Sequence, residues 1–336
     1  MSKQLPVLVT GGAGYIGSHA VLALCDRGTP VAVIDNLSTG FEFAIPDGVA
    51  FYQGDIADQE LLARIFSEQQ IGAVMHFAGS IIVPESVENP LKYYLNNTVK
   101  SRALMEAVVQ AGVKHFIFSS TAATYGIPES SPVSEDLPKQ PINPYGWSKL
   151  MTEQMLGDTA AAHDFNYCAL RYFNVAGADP QGRSGQSTAG ATHLIKVAVE
   201  AALGKRESVS VFGTDYDTPD GTGVRDYIHV SDLAAAHVLA LDALVEAPDT
   251  SMTMNCGYGR GFSVLEVLDA VDRVTNMKIN RIMAPRRAGD PDSLISDPGR
   301  IKATLPWQPK HADLDEIVTH ALAWERKLAE LRPESA

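Results

Sequence analysis

Cysteine and long apolar runs are scarce in this sequence. Only three cysteines, Cys25, Cys168 and Cys256, occur in 336 residues, and they are scattered among apolar neighbours. This spacing argues against a disulfide or zinc framework and predicts a reducing, cytoplasmic setting. No apolar run reaches the roughly 18 residues of a membrane helix, and the first residues, Met1–Pro6, contain no signal-peptide core.

Positive charge is also in short supply. The chain has 27 Lys and Arg residues against 40 Asp and Glu residues, which gives a formal net charge of −13. This balance argues against nucleic acid or an anionic membrane as the main partner, so local arginines and helix N-termini would have to hold any anionic substrate. The nine histidines show no ligand spacing, and we predict no metal site.

A glycine-rich turn follows the first predicted strand, Leu5–Thr10. The turn contains Gly11, Gly14, Tyr15, Ile16 and Gly17, and a helical pattern follows it to about Arg27. The next strand, Val31–Ile34, ends on Asp35, which lies 18 residues after Gly17. Glycines let the backbone approach a pyrophosphate, and an acid at this position accepts from an adenosine ribose hydroxyl. The context predicts a dinucleotide site, and because Asp35 would repel a 2′-phosphate it favours NAD over NADP.

A second motif begins at Asn143 and ends at Lys149. Pro144 suits the first position of a helix, which we predict to run to about Ala162. Tyr145 and Lys149 are four residues apart, so phenol and ammonium share a helix face. A phenol needs about 3–4 kcal/mol of help to act as a base near neutral pH. An ammonium about 5 Å away supplies about 3 kcal/mol, and an oxidised nicotinamide would add a second positive charge. Y-x-x-x-K is weak evidence by itself.

Strands and helices alternate through the first half of the chain. Predicted strands at Val49–Gln53, Ala73–Phe77, His115–Ser119 and Tyr167–Tyr172 alternate with helices that include Leu61–Glu68 and a long one at Pro90–Ala111. This alternation predicts an α/β fold with a Rossmann-type, doubly wound parallel sheet. Ligands of such sheets bind at the carboxyl ends of the strands.

The alternation breaks after Phe173. A Gly/Ser-rich loop is predicted from Asn174 to about Ala191, followed by smaller elements and a last helix at about Leu314–Leu331. We therefore predict an NAD-binding domain at residues 1–173 plus about 225–255. A smaller α/β nucleotide-sugar domain would comprise about 174–224 plus 256–336.

Taken together, the motifs resemble the extended short-chain dehydrogenase/reductase family over nearly the whole chain. The segments that carry the resemblance are Thr10–His19, Asp35–Leu37, His76–Gly79, Tyr94–Asn97, Ser119–Gly126, Tyr145–Lys149, Arg171–Asn174, Gly221–Val230 and Pro285–Asp290. The segments around Arg225 and Arg287 point to the nucleotide-sugar enzymes of that family.

The resemblance implies C4 epimerisation of a UDP-hexose, UDP-glucose or UDP-galactose, through a 4-keto sugar, with tightly held NAD. Tyr145 would take the C4 hydroxyl proton, Thr121 would hydrogen-bond the same oxygen, and Lys149 would lower the pKa of Tyr145 and hold the nicotinamide ribose. The other implied NAD contacts are Gly11, Gly14, Tyr15, Ile16, Gly17, Asp35, Asn36, Asp55, Ile56, Phe77, Ala78, Asn96 and Phe173. The implied substrate contacts are Thr121, Tyr145, Asn174, Leu194, Phe212, Arg225, Arg287 and Asp290.

Two positions depart from the family pattern. Ser80–Val83 lacks the lysine that contacts the cofactor in some relatives, and the position that gates the sugar pocket by size holds Leu294. Taken singly, Arg225 is equally suited to a domain-packing ion pair with Asp226 or Asp232.

Particular residues also bear on other possible functions. Ala122 and Ala123 cannot move protons, which argues against a 4,6-dehydratase. The arginine-bearing lobe argues against an alcohol dehydrogenase that releases NADH, and the intact Thr121, Tyr145 and Lys149 against a non-catalytic NAD-binding regulator. Epimerisation of UDP-xylose or UDP-arabinose, UDP-glucuronate or UDP-N-acetylglucosamine stays open. The family also implies a homodimer through Pro90–Ala111 and Tyr145–Ala162.

Overall fold

The computed structural model describes residues 5–287 and 289–331, so Met1 to Gln4 and Ala288 of the motifs above lie outside the described residues. Its strands are β1 (Val7–Thr10), β2 (Val31–Asp35), β3 (Ala50–Gln53), β4 (Ala73–His76), β5 (His115–Ser119), β6 (Asn166–Tyr172), β7 (Asn174–Ala176), β8 (Val209–Phe212), β9 (Val224–His229), β10 (Met252–Cys256), β11 (Gly261–Ser263), β12 (Arg281–Ala284) and β13 (Ser293–Leu294). Its helices are α1 (Tyr15–Asp26), α2 (Gln59–Gln69), α3 (Val83–Glu88), α4 (Pro90–Tyr93), α5 (Lys100–Gln110), α6 (Pro144–Ala162), α7 (Leu194–Ala202), α8 (Val230–Glu246), α9 (Val264–Thr275), α10 (Gly299–Thr304) and α11 (Leu314–Leu331).

Seven of the strands form one sheet in the order β10-β6-β5-β4-β1-β2-β3, and every neighbouring pair is parallel. Successive side chains of a strand point to opposite faces, so β1 contributes to two cores. Val7 and Val9 pack with α1 and α8 on one face, whereas Leu8 packs with α2, α5 and α6 on the other. Helices on both faces confirm the predicted doubly wound fold.

The helix that carries Tyr145 is confirmed at its predicted bounds, since α6 begins at Pro144 and ends at Ala162. The long helix predicted at Pro90–Ala111 is instead three segments, because a π-helical segment, Tyr94–Val99, separates α4 from α5. A π-helix inserts one extra residue per turn, and hydrophobic periodicity does not reveal it.

The remaining elements build a smaller lobe with short sheets. Strand β9 pairs with β7, β11 and β13, while β8 pairs with β12. Helices α7, α9 and α11 cover these strands and share a core with them. The stretch from Asn174 to about Ala191, predicted as a loop, begins with β7, because Asn174–Ala176 hydrogen-bonds to Tyr227–His229 of β9. The domain limits proposed above remain a prediction.

No helix within residues 5–287 and 289–331 combines the length and the apolar character that crossing a bilayer requires.

Candidate active site

Tyr145 and Lys149 project from the first turns of α6 into the protein. The Asn143 side chain caps the helix by accepting a hydrogen bond from the Gly146 amide at 2.8 Å. A Cβ atom on Gly146 would lie 2.6 Å from the Ala123 carbonyl oxygen, so this turn requires glycine to approach the segment after β5. That approach allows the side chains of Tyr145 and Thr121 to hydrogen-bond.

Burial controls the electrostatics of this pair. It raises the pKa of the Tyr145 phenol, and only the hydrogen bond to Thr121 opposes it. Burial also lowers the pKa of Lys149 to about 8, while the carboxylate of Glu153 acts in the opposite direction. The Lys149 ammonium donates to the Ser119 carbonyl oxygen at 2.9 Å and lies 4.9 Å from the centre of the Phe118 ring.

In the structure burial dominates the pKa of Tyr145, so the expectation that Lys149 by itself nearly suffices to make the phenol acidic stays a prediction. The ammonium is engaged with Ser119 and is not among the groups that lower the pKa of the phenol. Sequence spacing places both side chains on one helix face, but it does not reveal the desolvation that both of them experience.

The glycine-rich turn is closely packed where β1 leads into α1. Gly11 has φ of +70°, and a Cβ atom there would lie 2.6 Å from the Ala78 amide nitrogen. A Cβ atom on Gly17 would lie 2.2 Å from the Gly11 carbonyl oxygen. The amide groups at the start of α1 are therefore held beside the carboxyl ends of β1 and β4, an arrangement that suits a pyrophosphate.

Asp35 ends β2 beside this turn. Its carboxylate accepts from the Ala13 amide at 3.0 Å and from the Leu37 amide at 2.8 Å, which lower its pKa against the larger effect of burial. Asn36 follows, and its side chain accepts from the Ser38 amide. The glycine-rich turn, the buried Asp35 and the carboxyl ends of β1 and β4 together fit the adenosine and diphosphate of a dinucleotide.

The other residues predicted to contact the cofactor lie along the same sheet edge or against it. Tyr15 donates to the Gly177 carbonyl oxygen at 2.6 Å, and Ile16 packs against the core under α1. Asp55 is ion-paired with Lys100, whose Nζ lies 2.6 Å from its carboxylate, and Ile56 is buried next to it. The Phe77 ring lies tilted against His237 with ring centroids 4.8 Å apart, and Phe173 packs against the Ala122–Tyr125 turn.

The segment after Gly79 is anchored by two asparagines of the π-helical segment. Asn96 donates to the Ser80 hydroxyl at 3.0 Å. Asn97, which our sequence reasoning did not single out, accepts from the Ser80 amide at 2.7 Å and donates to the Ser80 carbonyl and to the Ser148 hydroxyl. Asn97 thereby ties the end of β4 to α6, and the adjacent pair of asparagines gives no sequence signal that separates their roles.

Apart from Thr121 and Tyr145, the residues predicted to contact the substrate come from the smaller lobe. Arg225 on β9 lies 3.8 Å from the Asp290 carboxylate, and the Asp290 amide donates to the Arg287 carbonyl oxygen at 3.3 Å. The Arg287 guanidinium lies 3.8 Å from the centre of the Phe212 ring. The turn that carries Arg287 and Asp290 therefore contacts the Arg225 guanidinium, and Asp290, rather than Asp226 or Asp232, is the ion-pair partner of Arg225.

One further side chain connects this lobe to the segment after β5, and two others line a cavity within the lobe. Leu294 on β13 is in register with Arg225 and packs against Ala122 and Tyr125. Asn174 opens β7 and Leu194 opens α7, and both line a cavity between these elements. The site can therefore hold a proton-transferring group on one side and an anion on the other.

Comparison with known proteins gives a consistent result. Residues 7–257 match the model of the NAD dependent epimerase/dehydratase family. A UDP-glucose 4-epimerase of Azospirillum brasilense is 58% identical over 96% of this chain and 92% of its own length. The structure of a UDP-glucose 4-epimerase from Brucella ovis in complex with NAD has a TM-score of 0.92 and 45% identity, covering 95% of this chain and 98% of that one.

A second solved structure extends the likeness to a sugar nucleotide complex. A UDP-glucose-4-epimerase from Stenotrophomonas maltophila, with bound NAD and formylated UDP-arabinopyranose, has a TM-score of 0.94 and 39% identity over 98% of this chain and all of that one. By sequence and by structure, the chain belongs to the NAD-dependent epimerase/dehydratase family.

Proposed function

We propose that the protein interconverts UDP-glucose and UDP-galactose by inverting the configuration at C4 of the hexose. The observation that carries the proposal is the meeting of Thr121, Tyr145 and Lys149 at the carboxyl end of β5. This cluster connects through Leu294 to a lobe that presents Arg225 and Arg287. The curated relatives are UDP-glucose 4-epimerases at up to 58% identity, which supports the same reading.

The cofactor of the proposed reaction is NAD. The turn at Gly11, Gly14 and Gly17 would hold its diphosphate, and Asp35 its adenosine ribose. When bound, NAD supplies a hydride acceptor that returns the hydride within one turnover, together with one positive charge. Lys149, which lies beside Gly79 and Ser119, is placed to hold the nicotinamide ribose.

The protein's own groups handle the proton. Tyr145 would accept the proton of the C4 hydroxyl and later return it, with Thr121 hydrogen-bonded to the same oxygen. Because burial raises the pKa of Tyr145, the free phenol is protonated at neutral pH, and it needs the positive charges of the assembled site to act as a base. Thr121 supplies the hydrogen bond that already favours the phenolate.

Arginines suit the other half of the substrate. Arg225 and Arg287 are always charged and can bind a diphosphate with two hydrogen bonds each. Phe212, Asn174, Leu194 and Asp290 would complete the uridine site. A strong hold on the nucleotide with few polar groups near Leu294 would let the flat 4-keto sugar turn over and present its other face.

The test is an assay of C4 inversion without added cofactor, using UDP-galactose, UDP-arabinose, UDP-galacturonate and UDP-N-acetylgalactosamine. We expect UDP-galactose to give UDP-glucose, followed by NMR of the sugar anomeric signals. If another of these sugars is inverted and UDP-galactose is not, that sugar is the substrate and UDP-galactose is not. Oxidised sugar accumulating together with NADH, or no conversion of any of the four, would contradict it.

We further propose that the protein is a cytoplasmic homodimer. Its cysteines are free thiols, which suits a reducing compartment. Leu91, Leu95 and Val99 follow one another at intervals of four along Pro90–Val99 and are 76%, 51% and 54% exposed. Trp147 and Met151 are exposed on α6, which packs against the same segment. Covering such an apolar surface with the same surface of a second copy would remove it from water.

A further inference from the structure

Glu153 is a buried carboxylate that the proposed chemistry does not use. It lies on α6 four residues after Lys149 and eight after Tyr145, so the three side chains follow one face of the helix. Its carboxylate accepts from Nε of Arg171 at 2.9 Å and from Nη2 at 2.5 Å, and both side chains are less than a tenth exposed. A buried ion pair is weak evidence for stability by itself, which raises the question of what this pair does.

The pair holds the segment that carries Thr121 on both sides. The Ser120 hydroxyl donates to Glu153. On the other side, Nη1 of Arg171 donates to the Tyr125 hydroxyl at 2.9 Å, and the guanidinium lies 5.0 Å from the Tyr125 ring centre. Ser120 directly precedes Thr121, and Tyr125 ends the short helix that follows it. The position of the Thr121 hydroxyl next to Tyr145 therefore depends on the Glu153–Arg171 pair.

The same carboxylate acts on the charge of Lys149. The ammonium lies beside the Phe118 ring and Ser119 carbonyl of β5 and beside Gly79, and its charge interacts with His76 of β4 and Glu153 of α6. His76 is neutral above a pKa of about 3, so it brings no charge near neutral pH. Burial lowers the pKa of Lys149, and Glu153 is the group that raises it.

We infer that Glu153, paired with Arg171, is a positioning residue of the reaction: it keeps Lys149 charged and fixes the segment Ser119–Thr121. The inference rests on the proposed function for its catalytic consequence. It assigns Glu153 a part in the chemistry, although Glu153 touches neither Tyr145 nor the groups proposed to contact the substrate.

The test compares Glu153→Gln with a double variant, Glu153→Gln/Arg171→Met, which removes both charges and leaves no unpaired guanidinium. Glu68→Gln, which removes an exposed carboxylate near Arg64 on α2, is the control. For each protein, kcat and KM for UDP-galactose are measured from pH 6 to pH 10. The pKa of Lys149 is read from NMR of protein labelled at lysine Cε, with the signal assigned by its loss in Lys149→Met.

Without Glu153 the ammonium loses its proton at lower pH. From a pKa of about 8, a shift of about one pH unit lowers the protonated fraction of Lys149 at pH 7.5 about threefold, so we expect kcat at pH 7.5 to fall at least threefold and the alkaline limb of the kcat profile to move down by about one pH unit. The lysine signal should titrate at correspondingly lower pH in both variants, with KM within about twofold of the wild type. Glu68→Gln should match the wild type throughout.

The inference is overturned if folded Glu153→Gln keeps both the wild-type alkaline limb and the wild-type titration of Lys149. It is also overturned if neither variant folds, because the pair would then serve the fold and not the reaction. A wild-type protein that inverts no UDP-sugar defeats the proposed function alone, since the NMR titration still reports whether Glu153 sets the charge of Lys149.

Discussion

Tyr145 has to carry a negative charge in a place where burial disfavours it. The phenol is 8% exposed, and in the protein alone only Thr121 offsets the cost of its ionisation. The residue therefore becomes a base only when further positive charge is close. This requirement couples the proton step to occupancy of the cofactor site, and it would keep the free protein from ionising a reactive phenol.

We expect Tyr145→Phe to lower kcat by about three orders of magnitude or more, because it removes the group that accepts the proton while keeping the ring. Binding of UDP, measured by calorimetry, should stay within a few-fold of the wild type, since the arginines of the smaller lobe are untouched. Tyr52→Phe is the matched control, because the Tyr52 hydroxyl bonds to Glu68 and Gln69 at the surface. Near-normal turnover of Tyr145→Phe would remove Tyr145 from the proposed role.

Single residues differ in how far the sequence could predict them. The spacing of Tyr145 and Lys149 is local, so the helix that joins them could be predicted to the residue. The pairing of Arg225 with Asp290 depends on a turn 65 positions away along the chain, and local patterns offered Asp226 and Asp232 instead. The roles of Asn97 and Glu153 depend on burial and on partners from other elements, which spacing does not reveal.

At the scale of elements, helix α6 and the helical stretch Pro90–Gln110 carry both the chemistry and the exposed apolar stripe. The π-helical segment Tyr94–Val99 turns Asn96 and Asn97 toward Ser80, and leaves Leu95 and Val99 on the outer surface. Successive side chains of a regular α-helix point about 100° apart, and the wider π-helical turn brings them closer to one direction. The irregularity thus lets one stretch of chain serve both the site and an outer apolar face.

If this face is the interface between two copies, a charge placed in it should separate them. We expect Leu95→Glu to raise the dissociation constant of the dimer at least 100-fold, about 3 kcal/mol, because a buried carboxylate would lie against apolar side chains. Sedimentation over a range of protein concentrations measures the change. Met277→Glu, at an exposed apolar position of the smaller lobe, should leave the dimer intact. A monomeric wild type, or a dimer that survives Leu95→Glu, would refute the interface.

For the whole molecule, the sheet could be predicted and the smaller lobe largely could not. Strands β1 to β6 alternate with helices, and that rhythm alone implies a parallel sheet. One of its sheets joins β7, β9, β11 and β13, which are two to six residues long and pair across long stretches of chain. Their order depends on contacts that no local pattern encodes, although the resemblance to a family named the residues they carry.

The buried histidines make the stability of the folded protein depend on pH. Burial lowers the pKa of His19 and His237 to about 4, of His76 to about 3 and of His229 to about 2, and it also lowers those of His193 and His320. Unfolded histidines bind a proton below about pH 6.5, whereas these stay neutral in the folded protein. Their contribution to stability is therefore complete above pH 6.5 and declines as the pH falls toward the folded-state values.

The free energy of unfolding should accordingly drop by several kcal/mol between pH 7.5 and pH 5.5, with His19, His76, His229 and His237 each contributing about 1.4 kcal/mol. Asp35 and Asp226, whose pKa values burial raises, act in the opposite direction. The measurement is urea unfolding at both pH values for the wild type and for His237→Met, whose imidazole is fully buried. Between these two pH values the free energy of unfolding of His237→Met should fall by about 1.4 kcal/mol less than that of the wild type. That of His163→Gln, at an exposed position, should fall by as much as that of the wild type. Equal pH dependence in His237→Met and the wild type would mean that His237 is already charged in the fold, contrary to its surroundings.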